Sequence, residues 1–296
     1  MSALPPISPS PSLPTPRLPA LAASARSAWR RARGGPTSLW LAWLVIATVT
    51  LFALAPGLLT HYSPVQGIAG QQLQGPSAAH WLGTDALGRD VYTRVVYGAV
   101  HSLSGAFVAV AMGLVVGTLL GLVAGASGGL VDDAIMRLVD VLLSVPALLL
   151  SLAIIIILGF GTINAAIAVG VASIASFARL LRSEVVRVRR SEYVEAAFGS
   201  GGRFWPVLWR HVLPNSLTSV IALAALQFGS AILAISTLGF LGYGAPPPTP
   251  EWGLLIAEGR NYISTAWWLT TVPGLVVVLV VLSANRISAG LHRAHT

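Results

Sequence analysis

The feature that most constrains the fold of this chain is a series of long apolar runs separated by polar segments. Most of these runs contain roughly 20 residues, the length at which an α-helix crosses the hydrocarbon core of a bilayer. Backbone polar groups inside a bilayer must be hydrogen-bonded within the chain, and a helix satisfies them all. The runs therefore predict an all-α polytopic membrane protein with six transmembrane helices, at about residues 39–59, 101–124, 129–160, 162–181, 216–240 and 267–284.

The composition agrees with a membrane protein and excludes several kinds of site. Of the 296 residues, 55% are hydrophobic and 9% are charged, whereas about a quarter of the residues in soluble domains are charged. The chain contains no cysteine, which excludes disulfides, thiolate metal sites and cysteine nucleophiles. Its net charge of +8 comes entirely from arginine, since it contains no lysine. These arginines flank the apolar runs and form no basic face, so we expect no nucleic-acid partner.

The distribution of arginine predicts the topology. Arginines are dense in the N-terminal tail, between residues 179 and 210 and at the C-terminus, and cytoplasmic segments carry such an excess. Six spans also return the chain to its starting side, so both termini are expected in the cytoplasm. The predicted parts are a disordered cytoplasmic tail (1–36), a first transmembrane helix (37–60), an extracytoplasmic segment (61–98), a transmembrane domain (99–288) with a cytoplasmic loop at 182–214, and a cytoplasmic tail (289–296).

The cytoplasmic loop contains a polar island, Glu192 to Pro214, in an otherwise apolar chain. Its middle reads Gly199-Ser200-Gly201-Gly202, which cannot continue a helix cheaply because glycine loses the most backbone entropy when it is fixed. The pattern predicts a short helix, a glycine break and a second short helix that ends before Pro214. A loop that only connects two spans needs no such structure, so we expect another molecule to dock there.

Charged residues at the start of the third span form a pattern of their own. Asp133 and Arg137 are four residues apart, and Arg137 and Asp140 are three apart, so these side chains are predicted to pair along one helix face. Charge near a membrane is costly unless it is paired. Further along, Pro146 predicts a kink in the same span. In the second span, Gly113, Gly117 and Gly121 have the spacing that permits close helix packing.

The extracytoplasmic segment ends in a stretch with helix signals. Thr84 or Asp85 is a candidate cap for a short amphipathic helix that would extend through Gly98. Within it, Asp90 and Arg94 have the i, i+4 spacing of a helical ion pair.

Several motifs of the chain resemble those of one known family. Glu195-Ala196-Ala197, then Gly201 after three residues, then Leu213-Pro214, resembles the EAA loop of ABC importer permeases. The remaining matches lie in consistent order over about residues 81–285, and they resemble the second (C-type) permease subunit of the dipeptide, oligopeptide and nickel branch. They are Gly83-Thr84-Asp85, Leu87-Gly88-Arg89-Asp90, Arg94, Gly128-Gly129, Asp132, Met136-Arg137, Asp140, Pro146, Phe240-Leu241-Gly242, Pro247-Pro248, Pro250 and Trp252-Gly253.

The resemblance implies a fold, a function and a set of partners. The fold would be that of a type I ABC importer permease, in the inner membrane of a bacterial cell. The chain would form half of the translocation path for short peptides, or alternatively for nickel or a metal chelate. A homologous permease, two ATP-binding subunits and an extracytoplasmic solute-binding protein would be its partners. The helix that docks on the ATP-binding subunit would use Glu195, Ala196, Ala197, Gly201 and Pro214.

The absence of lysine bears on whether this chain can use ATP itself. The phosphate-binding loop G-x-x-x-x-G-K-[ST] requires a lysine, and the chain contains none. We therefore expect that this chain does not hydrolyse ATP through such a loop. Together with the resemblance, this implies a transporter subunit that is not an enzyme and binds no cofactor, with ATP and its magnesium ion used by the partner subunits.

Two functions of other classes are weighed against transport driven by ATP. Gly125-Ala126-Ser127-Gly128 has the form G-x-S-G, which is found around the serine of intramembrane proteases. Such a protease needs a histidine base on a later span, and the third, fourth and sixth spans contain none. A secondary transporter or channel usually carries ionisable residues in mid-span, and this sequence offers no such series. The scattered histidines predict no metal site, since a metal needs several ligands in one shell.

Overall fold

The computed structural model describes residues 36–294, and within them the fold is helical with a single isolated bridge between Thr84 and Asp90. The predicted tail at 1–36 lies outside the described residues except for Pro36. The elements are α1 (Pro36–Leu54), α2 (Pro56–Leu59), α3 (Val91–Ser127), α4 (Gly129–Ser144), α5 (Ala147–Leu158), α6 (Thr162–Arg189), α7 (Glu192–Gly199), α8 (Phe204–Val207), a π-helical turn (Leu208–Val212), α9 (Leu213–Phe240), α10 (Trp252–Gly259), a 3-10 turn (Arg260–Tyr262) and α11 (Trp268–Ala294).

Five helices of the described chain are long and apolar enough to cross a membrane. They are Thr37–Leu54, Val91–Ser127, Thr162–Arg189, Phe204–Phe240 and Trp268–Leu291. Helices α4 and α5 meet the same test together, which brings the number to six if this bent pair is one span. The prediction of an all-α polytopic protein is confirmed, and the predicted number of spans is reached when the bent pair is counted.

The predicted kink at Pro146 is a sharp bend. Helices α4 and α5 meet at 94°. Val145, the residue before the proline, has the extended values φ −91° and ψ 129°, because the proline ring disfavours helical angles in the preceding residue. Pro146 is then the N-cap of α5, so the chain changes direction there and a new helix starts.

Helices α3 and α6 pack through a row of glycines on α3. A Cβ atom on Gly117 would lie 2.6 Å from the carbonyl oxygen of Ile174, and one on Gly121 would lie 2.5 Å from that of Ala178. Only hydrogen fits at these positions, as the small-residue spacing predicted. The two helix backbones therefore touch, with Phe177 of α6 completely buried beside them.

The start of α3 corrects the prediction of a short helix that ends at Gly98. The helix begins at Val91, and its N-cap Asp90 accepts a hydrogen bond from the backbone N–H of Thr93 at 2.8 Å. The helix continues through Gly98 and is 37 residues long in total. Gly98 serves packing and does not end the helix, since a Cβ there would lie 3.0 Å from the indole of Trp252.

Residues 61–90, which we name the strap, have little regular structure but are closely fitted to α11. The carbonyl oxygen of Thr84 accepts a hydrogen bond from the indole N–H of Trp268 at 3.2 Å. The neighbouring Gly83 has φ +76°, and a Cβ there would lie 2.7 Å from the same indole nitrogen. The strap is thereby held against the first turn of α11.

Candidate functional site

The predicted polar island is a defined structure that we name the polar segment, residues 191–212. It begins two residues after the end of α6, at Ser191, which has the extended values φ −81° and ψ 145°. The carbonyl oxygen of Ser191 accepts hydrogen bonds from the N–H groups of Val194 and Glu195, at 3.0 and 3.1 Å. Glu192 and Glu195 both lie in the first turn of α7, where a carboxylate interacts favourably with the positive end of the helix dipole.

Two adjacent glycines end α7, for different physical reasons. Gly201 has φ +85°, an angle that side-chain-bearing residues rarely adopt. Its N–H donates to the carbonyl of Phe198 and that of Gly202 to the carbonyl of Ala197, both at 3.0 Å, which is the Schellman arrangement. At Gly202 the constraint is space, since a Cβ would lie 2.5 Å from the oxygen of Ala197. The sequence singled out Gly201 and gave no sign that Gly202 is the more tightly packed.

The polar segment has a buried aliphatic side and an exposed side. Val194 is completely buried, and Val207, Leu208 and Val212 are almost so. On the exposed side lie Glu195 and Ala196, while Ala197 is half-buried. The exposed side also carries large aromatic rings, between 38% and 65% exposed, at Tyr193, Phe198, Trp205 and Trp209. The segment is thus anchored to the protein through buried aliphatic residues, and its exposed residues include a carboxylate, a small residue and aromatic rings. Of these rings, Trp209 faces a groove between α3 and α9.

Arg189 connects the polar segment to the far end of α3. Its Nη1 donates hydrogen bonds to the carbonyl oxygens of Gly125 and Ala126, at 2.9 and 2.6 Å. Its guanidinium also lies over the ring of Phe204, 6.0 Å from the ring centre, a cation–π arrangement. The end of α6, the end of α3 and the start of α8 are therefore joined by one side chain.

The structure corrects the prediction that the second short helix ends before Pro214. Residues from Phe204 to Phe240 form one continuous helical stretch. Before the proline, the π-helical turn Leu208–Val212 widens the helix, and the N–H of Leu213 donates to the carbonyl of Leu208, five residues back. Proline removes a donor and its ring crowds the preceding turn, and a π-helical turn accommodates it.

Side chains satisfy the carbonyl groups near Pro214. The Asn215 amide donates to the carbonyl of His211 at 2.7 Å, and the Ser216 hydroxyl donates to that of Val212 at 2.9 Å. The helix thereby passes through the proline. Pro214 lies at the junction of the polar segment and α9, but it does not end a helix.

The predicted ion pairs along α4 are also corrected. Asp140 pairs with Arg179 of α6, not with Arg137, and among the described residues neither Asp133 nor Arg137 forms an ion pair. The well-formed pair is that of Asp132, which accepts from the Arg182 Nε at 3.0 Å and from Nη2 at 2.5 Å. Arginines of α6 reach across to α4, so the pairs join two helices. Spacing within one helix could not reveal them.

A second group of charges, which the sequence did not predict, lies between the strap, α3 and α10. Arg94 donates through Nη1 to Asp85 at 2.8 Å and to Glu258 at 2.5 Å. Arg89 donates to the same two carboxylates, at 2.6 and 3.0 Å. Both arginines are buried, with 1% and 4% of Arg94 and Arg89 exposed. We name these four residues the buried charge cluster.

The predicted pair between Asp90 and Arg94 is absent, because each residue has another partner. Asp90 accepts from His80 at 2.9 Å while it caps α3, and Arg94 belongs to the buried charge cluster. His80 is itself buried and also contacts the side-chain oxygen of Gln71 at 2.8 Å. The strap is thus fixed to α3 by two neighbouring sets of polar contacts.

Glu251 is a further buried acid that sequence reasoning missed. It is completely buried and caps α10, accepting from the N–H groups of Gly253 and Leu254 at 2.9 and 3.1 Å. Burial raises the pKa of its carboxyl to about 7, although the two backbone N–H groups and the Ser102 hydroxyl oppose the shift. Glutamate is not among the residues that commonly cap a helix start, so no local sequence signal identifies Glu251.

Ser127, the serine of the protease alternative, lies in no catalytic arrangement in the described chain. It is the last residue of α3 and is exposed to the surface. No histidine at positions 36–291, where the structure describes the side chains, hydrogen-bonds to it. The polar segment is therefore the candidate functional site, and its chemistry is that of a docking surface.

Comparison with known proteins identifies the family of the chain. The family described as the binding-protein-dependent transport system inner membrane component matches residues 117–294. A dipeptide transport system permease protein from Alkalihalophilus pseudofirmus is 41% identical over 251 residues, which cover 85% of this chain and 83% of that protein. A glutathione transport system permease protein from Pectobacterium atrosepticum is 37% identical over 221 residues, covering 75% of this chain and 73% of that protein.

The fold has a counterpart among solved structures. A chain from inward-facing structures of the MetNI methionine ABC transporter superposes with a TM-score of 0.54 at 20% identity, covering 67% of this chain and 96% of that one. At this identity the likeness concerns the fold, and it confirms the expected architecture of an ABC importer permease. The chain belongs to the family of inner membrane components of binding-protein-dependent transport systems, the permease subunits of ABC importers, which are not enzymes and rely on a separate ATPase subunit.

Proposed function

We propose that this chain forms half of the translocation path of an importer for short peptides, and that the polar segment couples it to the ATPase. The observation that carries the coupling proposal is the polar segment itself, a helix anchored on one side and exposed on the other. The cargo proposal is supported by the relatives, whose names refer to dipeptides and to glutathione. Nickel import, the earlier alternative, has no such support.

The proposed docking helix is α7. Glu195 and Ala196 are exposed, and the small side chain of Ala196 allows a partner surface to approach closely, as in other complexes where a helix lies in a groove. Ala197 supports the helix from its half-buried position, and Gly201 turns the chain back. Because Val194 and Val212 are buried in the protein, a displacement of α7 would move α6 and α9 with it.

The proposed assembly pairs this chain with a homologous permease, two ATP-binding subunits and an extracytoplasmic solute-binding protein. ATP and its magnesium ion would be bound by the ATP-binding subunits, since this chain has no lysine for a phosphate-binding loop. The arginine-rich ends of the spans support a topology in which both termini and the polar segment face the cytoplasm. The strap then lies on the extracytoplasmic side.

The coupling proposal is tested by placing a bulky side chain on the exposed side of α7. Ala196→Trp should leave the permease folded, because Ala196 is exposed, and should abolish both peptide uptake and co-purification of the ATPase. Ser183→Trp is the matched control, since Ser183 is also exposed but lies on α6. If Ala196→Trp kept full uptake and full ATPase binding, α7 would not be the docking helix.

The cargo proposal needs a separate measurement. Cells that lack the importer should regain uptake of a labelled dipeptide when the complete transporter is restored, and should not regain uptake of nickel. Restored nickel uptake without dipeptide uptake would reverse the assignment while leaving the coupling proposal intact.

A further inference from the structure

A cavity of about 360 Å³ opens between the turn from α3 to α4 and the end of α6. Its polar lining consists of Asp132, Arg182, Arg189 and Arg190, and we name it the basic pocket. Cavities of this volume are large enough to hold a small ligand or the head of a larger one. The pocket lies beside the polar segment but is formed by other residues.

The charges of the basic pocket do not balance. Asp132 is held by Arg182 in a bidentate contact, with Nε at 3.0 and 3.2 Å from the two carboxylate oxygens. Arg189 bonds to the carbonyl oxygens of Gly125 and Ala126, which carry no formal charge. Arg190 is exposed and forms no ion pair with any described residue. Asp133 also interacts electrostatically with Arg182 but does not line the pocket. The lining itself therefore retains two positive charges in one concave site, which is an arrangement that favours an anion.

The N-terminus of α4 adds hydrogen-bond donors at the edge of the same pocket. Its N-cap is Gly128, which lines the pocket and has no side chain with which to cap the helix. The helix is 16 residues long, and the first N–H groups of a helix have no partner within it. Such a terminus favours a phosphate or another anion. Asp132 in the first turn is already engaged with Arg182, so positive potential is left for a ligand.

The surface next to the basic pocket is apolar, and this bears on the kind of anion that would suit it. Leu130 is 88% exposed and Val131 is 48% exposed, and both follow directly after the glycines of the turn. The pocket also lies where the membrane-spanning helices α3 and α6 end. A molecule that suits both surfaces has an anionic head and an apolar chain. Basic pockets between transmembrane helices bind anionic lipid head groups in this way.

We propose that the basic pocket binds the phosphate of an anionic phospholipid, whose acyl chain lies along Leu130 and Val131. Arg189 and Arg190 supply the charge-assisted hydrogen bonds to the phosphate oxygens. Only the choice of leaflet rests on the proposed function, since the topology given there places the pocket on the cytoplasmic side.

The test measures how much lipid stays bound to the purified full-length chain and to its complex with the ATPase. Native mass spectrometry with phosphatidylglycerol and phosphatidylcholine compares an anionic with a zwitterionic head group. The wild type should retain phosphatidylglycerol selectively. Arg190→Gln should weaken this retention about fivefold, since an arginine near an anionic lipid surface contributes about 1 kcal/mol. Arg187→Gln is the control, because Arg187 pairs with Glu184 and does not line the pocket.

Each outcome decides the proposal. Equal retention of the two lipids, or an equal loss in Arg187→Gln and Arg190→Gln, would show that the pocket is not a specific site. A competition with inorganic phosphate tests whether the pocket recognises a whole lipid or only its phosphate. If millimolar phosphate alone displaced the phosphatidylglycerol, the assignment to a lipid would be overturned. If Arg190→Gln released the ATPase and left lipid retention unchanged, the pocket would belong to the ATPase interface, and the coupling proposal would still stand.

Discussion

The two ends of α3 are built in different ways. At its start, the strap is joined to α3 and α10 by the buried charge cluster, in which Arg94 is 1% exposed. At its end, some 55 Å away for a helix of 37 residues, the polar segment is held by aliphatic contacts and by Arg189, and Trp205 is 65% exposed. Buried, paired charges hold a single arrangement, because any rearrangement would leave a charge unpaired. Aliphatic contacts tolerate small displacements, and the polar segment is the end that we expect to dock and move.

The largest expected effect is at the buried charge cluster. Arg94→Met leaves Asp85 and Glu258 without one of their cations, and removing one partner of a buried ion pair costs about 3–5 kcal/mol. The thermal unfolding temperature of the purified chain should fall accordingly. Arg187→Met is the comparison at the other end, where the exposed pair with Glu184 should contribute about 0–1 kcal/mol. Similar losses in the two variants would remove the contrast between the ends.

The next largest expected effect is a pH dependence of the free energy of unfolding, which comes from Glu251 at the start of α10. Its pKa is about 7 in the folded chain against 4.5 in the unfolded one. The folded state therefore holds the proton more tightly, so the contribution of Glu251 to the free energy of unfolding should be fully present below pH 4.5 and should be lost as the pH rises through 7. The total change is about 3 kcal/mol, at 1.36 kcal/mol for each pKa unit.

The measurement compares unfolding at pH 5 and pH 8 in the wild type and in Glu251→Gln. The glutamine cannot ionise, so its unfolding should lose this component of the pH dependence. An identical pH profile in both proteins would mean that Glu251 ionises in the folded chain as freely as in water.

A smaller effect tests the contact that joins the two ends. Gly117→Ala places a Cβ 2.6 Å from the Ile174 carbonyl oxygen, so α3 and α6 must separate, at a cost of about 1–3 kcal/mol for an overpacked core. Gly274→Ala in α11 is the control, since a Cβ there meets nothing within 4 Å and alanine favours a helix. The unfolding temperature should fall in the first variant only. ATPase activity stimulated by cargo should fall with it.

The smallest effect lies in the polar segment, between two glycines that are two residues apart. Gly201→Ala forces a side chain onto φ +85°, which costs about 1–2 kcal/mol. Gly199→Ala is the matched control, because Gly199 is inside α7 and a Cβ there meets nothing within 4 Å. Unfolding should distinguish the two variants, and Gly201→Ala should also weaken ATPase binding. If both behaved alike, the turn at Gly201 would not set the position of α7.

The features that follow from local chemistry could be predicted from the sequence. The apolar runs predicted the spans, Pro146 predicted the break between α4 and α5, and the glycines after α7 predicted the end of that helix. Contacts between distant residues could not be predicted. Asp132 and Arg182 are 50 residues apart, and Arg94 and Glu258 are 164 apart, so their pairing depends on how the helices pack. The prediction that a helix ends before Pro214 was wrong for another reason. A π-helical turn lets a helix continue through a proline, and no sequence signal distinguishes that case from a helix end.

The row of glycines between α3 and α6 has a consequence for how far a movement can travel. Backbones in direct contact leave no side chains that could change rotamer and absorb a shift. We therefore expect the two helices to move together, over a length that reaches from the polar segment to the strap. Because α3 is about 55 Å long, a tilt of a few degrees at one end displaces the other end by several ångströms. If α7 docks on the ATPase as proposed, a movement imposed on the polar segment would change the position of the helix ends beside the strap.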